Sequence, residues 1–250
     1  MQEKIFRKGN VMTAEIEKLK EWLDESERIV FFTGAGASTE SGIPDFRSVD
    51  GLYNQKYDYP PETILSHTFF KNKPEEFYRF YHDKMLLPGA KPNPGHLKMA
   101  ELEKKGKSLG VVTQNIDGLH QAAGSEKVFE LHGSVLRNYC MKCGKFFDFD
   151  YMVQSDGVPH CDKCGGVIKP DVVLYEEGLD QDIINGAVSA ISRADMLVIC
   201  GTSLVVWPAA GFVNYYTGNK LVLINKSATQ MDSKADLIIR DPIGEVLAQV

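Results

Sequence analysis

Arg28-Ile29-Val30-Phe31-Phe32-Thr33-Gly34-Ala35-Gly36-Ala37-Ser38-Thr39-Glu40-Ser41-Gly42-Ile43-Pro44-Asp45-Phe46-Arg47 is the stretch from which the rest of the chain can be read. Ile29 to Phe32 are wholly apolar and rich in β-formers. The run stops at Gly34 and Gly36, which predicts a buried strand turning into a loop. Glycines at such a turn let backbone amides approach a pyrophosphate, and the positive end of a following helix favours the anion. The dehydrogenase fingerprint G-x-G-x-x-G is nevertheless incomplete. Its third glycine falls on Thr39, and no strand-end acid stands about 20 residues further on to hold a ribose. Gly42 to Arg47 instead set a carboxylate, an aromatic ring and a guanidinium side by side, which hydride transfer does not require. Taken alone, Pro44 as a turn residue and Phe46 as a core residue explain that segment equally well.

Outward from this stretch the chain alternates. Upstream, Ile16, Leu19, Trp22 and Leu23 recur at helical spacing between Thr13 and Ser26. Downstream, Ser48 to Gly89 carry Tyr53, Tyr57, Tyr59, Phe69, Phe70, Phe77, Tyr78, Phe80 and Tyr81 without strand alternation, so loop and short helices are predicted. The aromatics suit core packing better than base stacking, because clustered basic residues are few. Pro92-Asn93-Pro94 reads as a helix start, with Asn93 as N-cap, Pro94 at the first helical position and an end near Lys105. Leu109 to Thr113 form an apolar run closing on Gln114-Asn115-Ile116-Asp117, and Val128 to Leu131 form another closing on His132-Gly133. After an interruption from Ser134 to Pro170 the rhythm returns. A helix carries Ile183, Ile184, Ala187 and Ile191, and a strand from Met196 to Cys200 ends in Gly201-Thr202-Ser203. Trp207-Pro208 opens a helix with Phe212, Val213 and Tyr216; Leu221 to Ile224 then lead to Asn225-Lys226-Ser227, and Leu237 to Ile239 precede a short helix near Ile243. Strands separated by helices predict an α/β protein with a parallel, doubly wound sheet. Ligands of such sheets bind beyond the carboxyl ends of the strands, which gathers Gly34, Gln114, Asn115, Asp117, Gly201, Ser203 and Asn225 along one edge.

The 250 residues suffice for one large domain, or one large and one small, and 43% hydrophobic with 25% charged residues is the balance of a globular protein. A surplus of 34 acidic over 28 basic residues, net −6, argues against sequence-independent nucleic-acid binding. No apolar leader core and no run of about 18 apolar residues is present, so no membrane partner is expected and the cytoplasm is the expected location.

Cys140-Met141-Lys142-Cys143 and Cys161-Asp162-Lys163-Cys164 are separated by 17 residues, within zinc-ribbon spacing. Two such turns, each followed by glycine (Gly144, Gly165), can set four thiolates around one Zn²⁺. With four protein ligands the metal has no open position, so its role is structural. A redox dithiol is the rival reading, and His160 stands close enough to compete as a ligand. Cys200 lies in an apolar run and reads as a buried thiol. Between Ser134 and Pro170, Arg137, Lys142, Lys145, Lys163 and Lys169 face Asp148, Asp150, Asp156 and Asp162, which makes no basic face for nucleic acid.

Taken together, these motifs resemble the sirtuins, NAD-dependent protein-lysine deacylases. The resemblance rests on Gly34 to Ser38, Ser41 to Arg47, Thr113 to Asp117, Leu131-His132-Gly133, the four cysteines, Lys169 to Val173 and Gly201 to Leu204, in family order across nearly the whole chain. It implies a Rossmann-like domain (1–47, 90–133 and 171–250) and a smaller one made of a helical module (48–89) and a zinc-ribbon module (134–170), with a cleft between. Carried over, Ala35, Thr39 and Arg47 hold the diphosphate and its ribose, and Ser203, Asn225 and Ile243 lie towards the adenosine. Gln114, Ile116 and Asp117 line the nicotinamide and ribose pocket, while Phe46 shields the reacting sugar. Gly34, Gly36, Asp45, Gly201, Thr202 and Lys226 complete the dinucleotide site. Asn115 joins His132 at the reacting centre. His132 is suited to act as general base towards a ribose hydroxyl. Val173, with its backbone, and Tyr175, Glu176 and Val206 border the acyl-lysine peptide.

The implied activity consumes NAD and acetylated protein lysines to give free lysine, nicotinamide and O-acetyl-ADP-ribose, from a monomer. The alternatives are removal of other uncharged acyl groups, mono-ADP-ribosyl transfer, and a non-catalytic NAD- or nucleic-acid-binding module. Two positions depart from the family. Glu176 stands where a glycine is common, in the loop bordering the peptide. Members that remove acidic acyl groups carry Tyr-x-x-Arg, whereas Tyr78 is followed three residues on by Tyr81, which favours uncharged acyl groups. His67, His82, His96 and His120 are read as surface or packing residues.

Overall fold

The computed structural model describes residues 13–47, 51–52 and 57–250. The reading of the first residues as lacking a leader, and Tyr53, lie outside them. α1 (Ala14–Glu25) starts at Thr13, whose hydroxyl accepts from the Ile16 amide, and buries Ile16, Leu19 and Leu23 on one stripe. β1 (Ile29–Thr33) follows, and then come two 3-10 turns, Ala35–Ala37 and Thr39–Ser41. The helix expected after the glycines does not form. Gly42, at φ 83°, ends the second turn in a left-handed conformation, and Pro44 stands two residues beyond.

α2 (Pro61–Ile64), α3 (His67–Asn72) and α4 (Pro74–Lys84) supply the short helices of the aromatic segment. α5 (Pro94–Lys104) begins with Pro94 at its first position, and Asn93 forms a reciprocal capping box with His96. β2 (Ser108–Thr113), α6 (Leu119–Ala122) and β3 (Val128–Glu130) close the first half. The interruption contains β4 (Gly133–Cys140), β5 (Phe146–Phe147), α7 (Phe149–Gln154) and β6 (Ile168–Val172). α8 (Gln181–Arg193), β7 (Met196–Cys200), β8 (Leu221–Ile224), β9 (Leu237–Ile239) and α9 (Ile243–Leu247) complete the chain. The segment after Pro208 is a 3-10 helix, Ala209–Tyr215, rather than an α-helix.

Six strands form one parallel sheet in the order β3-β2-β1-β7-β8-β9, the Rossmann arrangement. The order reverses beside β1, which places the ligand crevice beyond the ends of β1 and β7. Side chains alternate between two cores. Ile29, Phe31, Met196, Val198, Val222 and Ile224 face α1, α5 and α9, whereas Val30, Phe32, Leu197, Ile199, Leu221 and Leu223 face α8 and the 3-10 helix. Both faces are covered, so the central strands β1, β7 and β8 are near-continuous apolar runs in the sequence. A third core joins the aromatic helices to the interrupting module: Phe70, Phe77, Tyr78 and Tyr81 pack with Val135, Phe147, Met152 and Ile168 around the antiparallel sheet β5-β4-β6. The Tyr78 hydroxyl donates to the Ile168 carbonyl and so fastens α4 to β6.

Candidate active site and metal centre

One cleft of about 990 Å³ runs along the carboxyl ends of β1, β2, β7 and β8 and under the loop after β6. Its wall contains every non-cysteine residue that the sequence singled out for binding or catalysis. Gly34, Ala35, Gly36, Thr39, Asp45, Phe46 and Arg47 come from the segment after β1; Gln114, Asn115, Ile116 and Asp117 follow β2; His132 stands between β3 and β4. Gly201, Thr202, Ser203 and Val206 follow β7, Asn225 and Lys226 follow β8, Ile243 opens α9, and Val173, Tyr175 and Glu176 follow β6.

The glycines act differently from the reading above. The amides of Gly34 and Gly36 donate to the Cys200 and Gly201 carbonyls at 3.2 and 2.8 Å, so they knit β1 to β7 and are already engaged. Their bareness serves this approach. A Cβ on Gly36 would sit 2.8 Å from the Gly201 oxygen, and one on Gly201, at φ 58°, would sit 2.3 Å from the Ala37 nitrogen.

His132 is oriented by its neighbour strand. Its Nδ1 lies 2.9 Å from the Gln114 carbonyl, which can only accept, so Nδ1 carries the proton and Nε2 is the basic nitrogen. Burial lowers its pKa below the usual imidazole value, against a smaller opposite pull from that carbonyl, and the ring is neutral near pH 7. Gln114 is fixed in turn, with its amide on the Thr33 carbonyl and its Nε2 on the Thr202 hydroxyl at 3.0 Å.

Ser38, which the sequence reading passed over, ties the floor together. Its hydroxyl donates to Asp117 at 2.6 Å and accepts from the Asn115 side chain at 3.1 Å. It lies inside the quoted Gly34 to Ser38 motif, but nothing local shows that it meets residues far along the chain. Beneath this floor His120 is bonded to Thr33 at 3.0 Å, and its ring lies 4.8 Å from that of His96. Burial drives the His120 pKa down to about 3 and also lowers that of His96, so both are neutral packing residues, as expected for them. His67, by contrast, bonds Glu177 at 2.8 Å.

The loop after β6 is pinned from outside the cleft. The Val173 amide donates to the His132 carbonyl, the Tyr175 amide donates to the Leu65 carbonyl, and the Tyr175 carbonyl accepts from the His67 amide. Glu176 adopts φ 76°, the left-handed region where glycine is easiest, and its carboxylate accepts from the Thr68 amide at 2.9 Å. Glu177 holds the Leu174 amide and Lys169.

The four cysteines meet at one point. Cys140 and Cys164 sulfurs lie 3.4 Å apart, Cys143 and Cys161 sulfurs 3.7 Å, and all four fall within 4.8 Å of one another. Thiolates each about 2.3 Å from a central Zn²⁺ would stand about 3.8 Å apart at tetrahedral corners, so the set fits one zinc ion. Gly144 and Gly165, at φ 70° and 68°, close the two knuckles. His160 turns its Nδ1 to the Gly165 carbonyl and lies outside the cluster. Among the described residues no helix is long and apolar enough to cross a membrane.

Residues 34–208 match the sequence pattern of the Sir2 family. The chain is 61% identical over 242 residues to an NAD-dependent protein deacetylase of Clostridium perfringens, covering 96% of this chain and 99% of that one. It is 49% identical over 236 residues to an NAD-dependent protein deacetylase of Cutibacterium acnes, covering 94% and 96%. Among solved structures, a Sir2 histidine-to-alanine variant with deacetylated p53 peptide and 3'-O-acetyl ADP ribose superimposes with a TM-score of 0.86 at 41% identity, covering 94% of this chain and 96% of that one. A Sir2 protein bound to a propionylated peptide gives 0.82 at 40% identity, with the same coverage.

Proposed function

The chain belongs to the Sir2 family, and from that membership we infer that it is an NAD-dependent protein deacetylase in which His132 is the general base. NAD is spent as a substrate and offers, as its nicotinamide departs, an electron-poor sugar carbon to the acetyl-lysine amide oxygen. What the protein supplies is position, dryness and one base. Nε2 of His132 accepts the proton of a ribose hydroxyl, and the Gln114 carbonyl steadies the imidazolium that results. Phe46, half-buried on the segment that covers the cleft, keeps water from the sugar face. Asp117, Asn115 and Ser38 form one network at the ribose end, whereas Ser203, Asn225, Lys226 and Ile243 receive the adenosine. The carbonyl of Val173 accepts from the substrate amide, beside Tyr175, Glu176 and Val206.

The division into a nucleotide domain (1–47, 90–133, 171–250) and a small domain (48–89, 134–170) is supported by the third core, which unites the two small-domain modules. The zinc ion braces that small domain and touches no substrate.

The observation that carries this reading is a neutral imidazole of fixed tautomer in the wall of the cleft that it shares with Gly34, Phe46, Gln114, Asn115, Asp117 and Ser203. Purified protein given NAD and an acetylated peptide should release nicotinamide and deacetylated peptide in equal amounts. Nicotinamide release with the acetyl group retained would instead mean ADP-ribosyl transfer.

A further inference from the structure

β4 does not pair evenly with β6. Ser134 faces Asp171 and Asn138 faces Pro170, so Val135, Leu136 and Arg137 bulge from β4 with no ladder partner on β6. Bulges bend a strand and re-aim its side chains, and they gather beside active sites. This one begins just after His132 and Gly133, where the two strands run so close that a Cβ on Gly133 would sit 1.9 Å from the Asp171 oxygen. The Arg137 side chain spans the gap in the ladder. Its Nε donates to the Asp171 carboxylate at 2.8 Å and its Nη1 to the Glu130 carboxylate at 2.7 Å. Glu130 ends β3 of the six-stranded sheet, two residues before His132, whereas Asp171 lies on β6 of the smaller sheet, two residues before Val173. The Glu130 side chain is only 10% exposed, so its charge depends on this partner, while that of Asp171 is 45% exposed.

We propose that Arg137 is a positioning residue: by tying Glu130 to Asp171 it fixes His132 relative to the Val173 backbone that receives the acyl-lysine peptide. The proposal rests on the deacylase reading above, which gives His132 and Val173 their roles. The two segments also meet directly, through the Val173 amide on the His132 carbonyl at 3.0 Å. A single bond there acts as a pivot, and the Arg137 bridge between the strands that lead into it sets the angle. A guanidinium suits this task, because its planar fork holds two acceptors in one geometry, whereas a lysine ammonium on its flexible stem does not. The gain is catalytic, since a displacement of about 1 Å between a base and the reacting atoms can cost roughly 10²-fold in rate.

The test uses Asp171→Ala, Arg137→Lys and the double variant of the whole chain, with NAD and an acetylated peptide. Each single variant should raise KM for the peptide by roughly three- to ten-fold, the worth of one misplaced hydrogen bond, and should lower kcat as well. The Kd for NAD should stay within about two-fold, and the double variant should lose little more than the worse single one, because both cut the same bridge. A role in stability alone would shrink the folded fraction, lowering kcat and Tm with KM for the peptide unmoved, and that result overturns the proposal. Losses that multiply in the double variant overturn it too, as do unchanged constants in Asp171→Ala, a variant at an exposed side chain that stays decisive if Arg137→Lys does not fold. An unaltered protein that fails to deacetylate the peptide would refute the deacylase reading, and the proposal with it.

Discussion

The imidazole of His132 is set by a single hydrogen bond to the Gln114 carbonyl, and its chemistry follows from that bond and from burial. His132→Ala should lower kcat/KM by roughly 10²- to 10⁴-fold, the range of a lost general base. NAD affinity, measured by calorimetry, should change little, and a variant that loses both together would make the residue structural. The sign of the pH dependence is also fixed. Burial holds the folded pKa below 6.5, so the base is neutral above that pKa and protonated beneath it. The acid limb of kcat/KM against pH should therefore have its midpoint below 6.5, and a midpoint above 7 would contradict the assignment. Its place at a strand end in a matching motif made His132 a candidate; which of its nitrogens is left free to accept a proton became visible only once Gln114 was seen beside it.

Two elements depend on partners remote in sequence. α9 spans only Ile243–Leu247, and its first amides are satisfied by Glu40, which accepts from Gly244 at 2.6 Å and Glu245 at 3.2 Å. A helix this short forms only when its ends and face are held. Glu40→Ala should cost about 1 kcal/mol in chemical denaturation, as loss of a cap does, and should raise KM for NAD through Ile243. Unchanged values of both would show that α9 is held by packing alone. The β5-β4-β6 sheet packs on the third core at one side and carries the four-cysteine site at its end, where a bound ion would add its binding energy to folding. Cys143→Ser should abolish bound zinc by elemental analysis and melt the small domain well below the rest; full thermal stability would contradict a structural ion. The metal site beside this sheet was legible in advance because Cys-x-x-Cys is a local pattern. The same holds for α5, whose Pro92-Asn93-Pro94 start is written in adjacent residues. The helix anticipated after Gly36 was not legible, since its replacement by 3-10 turns follows from the clasp between Gly36 and Gly201 across two strands.

Across the fold, His82, His96, His120 and His132 all have pKa values lowered chiefly by burial. The unfolded chain protonates them near 6.5 and the folded protein lower, so the stability they contribute is complete above pH 6.5 and is lost as pH falls, for His120 down towards about 3. Each adds a slope of up to about 1.4 kcal/mol per pH unit within its window. Unfolding free energy should thus drop between pH 6.5 and 5, and His120→Gln should flatten that slope by about one such increment; an unchanged slope would mean the ring is not buried neutral. The sequence by itself determined the parallel sheet and the metal ligands, while most of the roster of cleft residues came from the family resemblance its motifs carry. The first two follow from local causes: strands covered on both faces are largely apolar, and knuckle motifs are spelled by neighbours. Only the tertiary structure decided that Ser38 meets Asp117 and that the Gly34 and Gly36 amides are already engaged. The reason is physical: hydrogen-bond satisfaction in a dry cleft is settled between residues tens of positions apart, and no periodicity or spacing along a chain encodes it.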